Sequence, residues 1–147
     1  ANVKYINCDL PETLYIAYYF LKKAGLNVEW AIDTWPNAPI VFVPTNRRKM
    51  IQKADLVFNG LSFSEMSKET VDDYFALINN HWKPRYIFHQ NSNVLLFPNS
   101  PRHIEILAQD FPIGKKYREI YRAISPWQGG SGRYREYLYD RGNGIDS

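Results

Sequence analysis

Asp55-Leu56-Val57-Phe58-Asn59-Gly60-Leu61-Ser62-Phe63-Ser64-Glu65-Met66 changes character twice within a dozen residues. Leu56, Val57 and Phe58 form a short apolar run that reads as a buried strand. The run breaks into small polar residues, and from Ser67 an amphipathic pattern takes over. Val71, Tyr74, Phe75, Ile78 and Trp82 then share one helical face, and Pro84 ends the element. Open α/β sheets contact their ligands at such places, because the strand's carboxyl end faces a crevice between loops. Asn59, Ser62, Glu65 and Met66 would bring two hydrogen-bonding groups, an acid or base and an apolar contact to that crevice. The plainer account is that Ser64 and Ser67 cap the helix and Glu65 favours its positive end.

The flanking sequence continues the alternation. Val3 to Cys8 reads as a strand closed by Asp9, and Pro11 and Glu12 suit the first turn of a helix. Leu14, Tyr18 and Leu21 lie on one face of that helix, and Lys22, Lys23 and Gly25 stop it. Asn27 to Ile32 makes a second strand ending at Asp33. Ile40-Val41-Phe42-Val43, bounded by prolines, makes a third. Arg47-Arg48-Lys49 reads as a solvated loop or helix start in preference to an anion site. Tyr86-Ile87-Phe88 is the strand after the long helix, and it closes on His89-Gln90-Asn91. The order β-α-β, β, β-α-β predicts an α/β fold with a mostly parallel, Rossmann-like sheet.

Beyond Asn91 the pattern weakens. Asn93 to Phe97 is a strand or an extended loop, and Pro101, Pro112 and Pro126 keep later elements short. Gly129-Gly130-Ser131-Gly132 reads as a flexible joint, residues 133–141 as a final helix and 142–147 as a frayed tail. Residues 1–141 would then form the domain.

Composition narrows the function. A chain of 147 residues, 45% hydrophobic, has the length of one domain and can bury a sizeable core. Eleven tyrosines and four tryptophans suggest amphipathic surfaces or pocket walls. A net charge of +3 permits an anionic ligand but is too mild and dispersed for a typical nucleic-acid binder. Cys8, the single cysteine, excludes a disulfide framework and a thiolate metal site, so the cytoplasm is the expected compartment. No apolar run reaches membrane-spanning length, and no membrane partner is expected. The opening at Ala1, almost directly in a strand pattern, suggests a segment upstream.

The polar residues that follow predicted strands are Asp9, Asp33, Asn59 with Ser62 and Glu65, and His89 with Asn91. Parallel strands place their following loops on one edge, so these residues are expected to line one cleft, walled by Met66 and Tyr5. For Asp9 and Asp33 the competing role is to cap the next helix. A strand-end imidazole such as His89 could take a proton from a substrate hydroxyl. His81, on a helix near Trp82, is expected at the surface or as core filler, and His103, after Pro101-Arg102 at a helix start, in a capping or solvent role. Neither GxGxxG nor GxxxxGK[ST] nor HExxH occurs. From Gly114 to Arg141, seven Lys/Arg face three acids, with five tyrosines and Trp127. That mixture could stack on bases or a sugar, but a solvated face snorkelling over a core is the expectation.

Asp9-Leu10-Pro11-Glu12 after a strand, and Asn59-Gly60-Leu61-Ser62-Phe63-Ser64-Glu65-Met66 before a helix leading to Tyr-Ile-Phe-His-Gln-Asn, resemble the putative sugar O-methyltransferases. These are class I S-adenosylmethionine-dependent enzymes, and the resemblance spans roughly residues 1–141. It implies a seven-stranded sheet with a central first strand and glycine-rich loop, and this chain aligns from the second strand on. The resemblance further implies that Asp9 binds the cofactor ribose and Asp33 lies near the adenine, with Asn59 also on the cofactor side. Ser62 and Asn91 would meet the sugar acceptor, with Glu65 or His89 as the base. A sheet lacking its first strand implies a homo-oligomer or a missing N-terminal portion beside it. A non-catalytic carbohydrate- or nucleotide-binding module is the alternative.

Overall fold

A computed structural model describes residues 3–94, 105–126 and 133–142. The expectations placed on Leu95–Phe97, Pro101, His103, Trp127, the glycine joint and the tail beyond Gly142 lie outside the described residues. The chain is α/β and divides into two compact units, Ala1–Gln52 and Lys53–Ser147. No helix among the described residues is long and apolar enough to cross a membrane.

The first unit is a three-stranded, all-parallel sheet in the order β1 (Tyr5–Asp9), β3 (Ile40–Pro44), β2 (Val28–Trp30). Helix α1 (Pro11–Lys23) starts at Pro11, whose missing N–H is no loss in a first turn. It ends where Gly25 takes φ +77, a left-handed conformation that costs glycine little. Leu14 is fully buried with Val28 and Phe42, and Tyr18, Leu21 and Trp30 pack around them. Burial of each such side chain is worth roughly 1.5–3 kcal/mol. Strand β1 pairs with β3 only, so one of its edges carries no neighbour among the described residues.

The second unit is a mixed sheet in the order β4 (Leu56–Gly60), β5 (Tyr86–Ser92), β7 (Tyr134–Asp140), β6 (Arg118–Ile124). Strands β4 and β5 are parallel, with Asn59 opposite His89, while β7 runs antiparallel to both β5 and β6. Helix α2 (Lys68–Leu77) covers one face with Val71, Tyr74 and Phe75, and a widened turn, Ile78–Trp82, adds Ile78 and Trp82. All five residues of the expected helical face are buried. Ser67 caps the helix by accepting from Thr70 N at 3.3 Å. The other face of the sheet shows Leu56 and Phe58 to solvent, with Phe58 stacked on Phe88.

Two expectations are corrected here. Residues 133–141, expected as a helix, hold the strand Tyr134–Asp140. The alternation that buries Tyr137 and Tyr139 has period two, and tyrosine packs well on a pleated surface flanked by β5 and β6. Strand β6, which supplies one of those neighbours, had no distinct signal behind its charged residues. Secondly, Ser64 caps no helix; its side chain is buried in the network described next.

Candidate functional site

The turn after β4 is folded against the end of β5 by side chains. Asn59 Oδ1 accepts from Phe63 N at 3.2 Å and from Asn91 Nδ2 at 3.0 Å, while its Nδ2 donates to Ser62 Oγ at 2.5 Å. Asn91 Oδ1 accepts from Ser64 N at 3.1 Å and from Ser64 Oγ at 3.3 Å. Ser64 Oγ in turn accepts from Ser92 N at 3.2 Å. Each buried polar atom of this circuit has a partner, which keeps it from costing the desolvation of an unpaired group.

Leu61 sits at the apex with φ 68, its N–H donating to Gln90 O at 2.7 Å. A branched residue in the left-handed region is uncommon and costs of order 1–3 kcal/mol, so the surrounding bonds hold it there. Nothing in the sequence announced Leu61, because residue type alone does not reveal a positive φ. The same turn sets Ser62 and Glu65 on the surface and Met66 half-buried beside them.

His89 lies on the same face of β5 as Asn91, yet it belongs to the core. Its ring is fully buried, at 4.9 Å from the rings of both Phe111 and Tyr137, and 5.8 Å from that of Tyr139. Among the described residues neither ring nitrogen has a hydrogen-bond partner. Burial alone disfavours the cation and pushes its pKa down from 6.5 to about 3. The imidazole expected in an open cleft is therefore a neutral ring in an aromatic stack.

Asn59, Ser62 and Asn91 are thus brought together, with Glu65 exposed on the same turn. Asp9 and Asp33 belong to the first unit. Asp9 ends β1, and its Oδ1 accepts from Leu10 N at 2.7 Å; Leu10, without a side-chain cap, occupies the cap position of α1. Asp33 is open to solvent, 3.8 Å from the Arg47 guanidinium. In the basic cluster Arg48 folds back onto Thr45 O at 2.8 Å within a 3₁₀ turn, Thr45–Met50. No group of three or more His, Cys, Asp or Glu among the described residues could hold a metal ion. Comparison of the chain with protein-family models, with curated protein sequences and with solved structures gave no match.

Proposed function

We propose that this chain is part of an S-adenosylmethionine-dependent O-methyltransferase acting on a sugar hydroxyl, with a Rossmann-like methyltransferase sheet. One observation carries the reading. The polar turn after β4 is locked by Asn59 and Asn91 to the end of the adjacent parallel strand, with strained Leu61 at its apex and Ser62 and Glu65 exposed. Rigid presentation of a carboxylate and a hydroxyl at a carboxyl edge suits an acceptor that must be aligned before transfer.

The cofactor would supply a methyl group on a good sulfonium leaving group. The chain's own residues then have to bind, orient and remove one proton. A carboxylate at a strand end suits a vicinal diol, which fits Asp9 as ribose ligand. Asp33 would stand near the adenine. Glu65, rather than the buried His89, takes the acceptor proton, and Ser62 orients the sugar. Asn59 and Asn91 spend their polar atoms on the turn, so they position it without touching the acceptor. The resemblance puts a first strand in the middle of the family sheet. Among the described residues, strands β1 and β4 each have one edge without a neighbour, to which a parallel strand could bond.

The protein extended upstream through a glycine-rich loop should bind S-adenosylhomocysteine in a calorimetric titration. Absence of heat from a folded extended protein would exclude the reading. It would leave the alternative, a non-catalytic carbohydrate- or nucleotide-binding module, which the self-satisfied Asn59–Asn91–Ser64 circuit also suits.

A further inference from the structure

We propose that Arg135 binds the anionic group of an acidic sugar, one bearing a carboxylate or a phosphate, beside the Asn59–Asn91 turn. That this sugar is the acceptor rests on the methyl-transfer reading; the binding itself needs no cofactor and is tested without one.

The register of β7 on β5 sets Arg135 directly opposite Asn91. Opposed residues of an antiparallel pair share a face, with Cβ atoms about 4.5–5.5 Å apart. Arg135 therefore rises beside the amide that locks the turn, at the carboxyl end of β5. The backbone there is held from both sides. Asn93 N donates to Arg133 O at 2.8 Å, and Ser125 N donates to Tyr134 O at 3.0 Å. A side chain that starts from a strand paired on both flanks has a fixed origin, which suits recognition of a small ligand.

The environment of this guanidinium is unusual. Arg135 is half-buried, and its Nε is shut off from solvent with no hydrogen-bond partner among the described residues. The carboxylates of β6 and β7 are engaged elsewhere. Asp140 pairs with Arg85 at 2.6 Å, and Glu119 accepts from Arg122 Nε and Nη2 at 3.0 and 2.8 Å. Glu136 follows Arg135 directly, so it leaves the strand on the opposite face, where it accepts from Tyr121 Oη at 3.2 Å. A half-buried cation without a counter-charge costs stability, and a ligand that supplies the charge recovers it. The paired oxygens of a carboxylate or phosphate match the guanidinium fork. Ser62 and Glu65, exposed on the adjoining turn, would then face the hydroxyls of the same sugar.

The test is titration of the isotope-labelled whole chain with glucuronate, glucose 6-phosphate and glucose at low salt, followed by NMR. At least one acidic sugar should shift the Arg135 Nε–H and Asn91 side-chain amide resonances saturably, and glucose should bind about tenfold more weakly or worse. Which of the two acidic sugars binds tells carboxylate from phosphate. Arg135→Gln should abolish the preference over glucose, and Arg135→Lys should restore only part of it, because an ammonium lacks the fork. Arg118→Gln removes an exposed arginine at the other end of the same sheet and should change nothing. Urea denaturation checks that each variant is folded. The proposal is overturned if neither acidic sugar saturates, if glucose binds as tightly, or if Arg118→Gln loses as much as Arg135→Gln. Selective binding of an acidic sugar by a chain whose extended form gives no heat with S-adenosylhomocysteine would uphold the Arg135 site while the methyl-transfer reading falls.

Discussion

Asn91 Nδ2 donates to Asn59 Oδ1 over 3.0 Å, tying together the carboxyl ends of two neighbouring parallel strands. Backbone ladders hold strands side by side, but they do not fix the loop that leaves them. Here the loop is fixed by amide side chains. Asn91→Ala would leave the buried Ser64 N–H unpaired and take from Asn59 Oδ1 one of its two donors, so the second unit should lose about 1–3 kcal/mol. The shift of the urea midpoint at constant slope measures it.

His89 makes stability depend on pH. Its folded-state pKa, about 3, lies below the ordinary 6.5, so protons bind the unfolded chain in preference. The contribution is complete above pH 6.5 and drains away as pH falls from there towards 3. Lowering the pH from 7 to 5 should cost about 2 kcal/mol through this residue alone. His89→Phe keeps a ring in the stack and strands no donor, so its stability should match or exceed that of the parent at pH 5. The difference between the two proteins, followed by denaturation at several pH values, isolates the histidine from the carboxylates.

Gly114 lies where a Cβ would come within 2.8 Å of Asn79 Oδ1 and 3.0 Å of its Cγ. Gly114→Ala should therefore expel the Asn79 amide and forfeit both of its hydrogen bonds, costing about 1–3 kcal/mol. Combining it with Asn79→Ala relieves the clash. The double variant should be no less stable than Asn79→Ala alone, within about 0.5 kcal/mol, in a denaturation cycle.

On the proposed reading, Glu65→Gln in the protein extended upstream should lower turnover by about 10²–10⁴ while leaving cofactor affinity alone, as expected of a general base. Asp9→Ala should do the reverse and weaken cofactor binding. Steady-state kinetics combined with calorimetry separates the two. An unaffected cofactor affinity in Asp9→Ala would remove its ribose role.

Ser67→Ala removes the cap that satisfies Thr70 N, and about 1 kcal/mol of stability should go with it. A thermal melt suffices to read the loss.

The first five strands and both helices were legible because each is a short apolar run or a strong 3.6-residue pattern between prolines, glycines and caps. The last two strands were not. In β6, Arg118–Ile124, every residue except half-buried Ala123 is exposed, so no apolar alternation marks the edge strand. In β7 the alternation is carried by tyrosines among charges, and Arg122 lies over Tyr137 at 5.2 Å, a pairing visible only once the strands are adjacent. The site was legible in part. Asn59, Ser62 and Asn91 come together as strand-end residues must in a parallel pair. His89, two positions before Asn91, shares their face of the sheet. Sequence position could not show that Phe111 and Tyr137 would close over it, because both arrive from distant parts of the chain.

The parallel rings of His89, Tyr137 and Tyr139 give the second unit a magnetic signature of its own. Imidazole carbon-bound protons held against a tyrosine face experience its ring current, so they should resonate far upfield of those in a solvated histidine. Tyr137 and Tyr139, 6.2 Å apart and tilted by 11°, place two phenol transition dipoles in fixed register. Their coupling should appear as near-ultraviolet dichroism that vanishes when the sheet opens. One buried stack thus reports by two spectroscopies, without any label, whether β5 and β7 are joined.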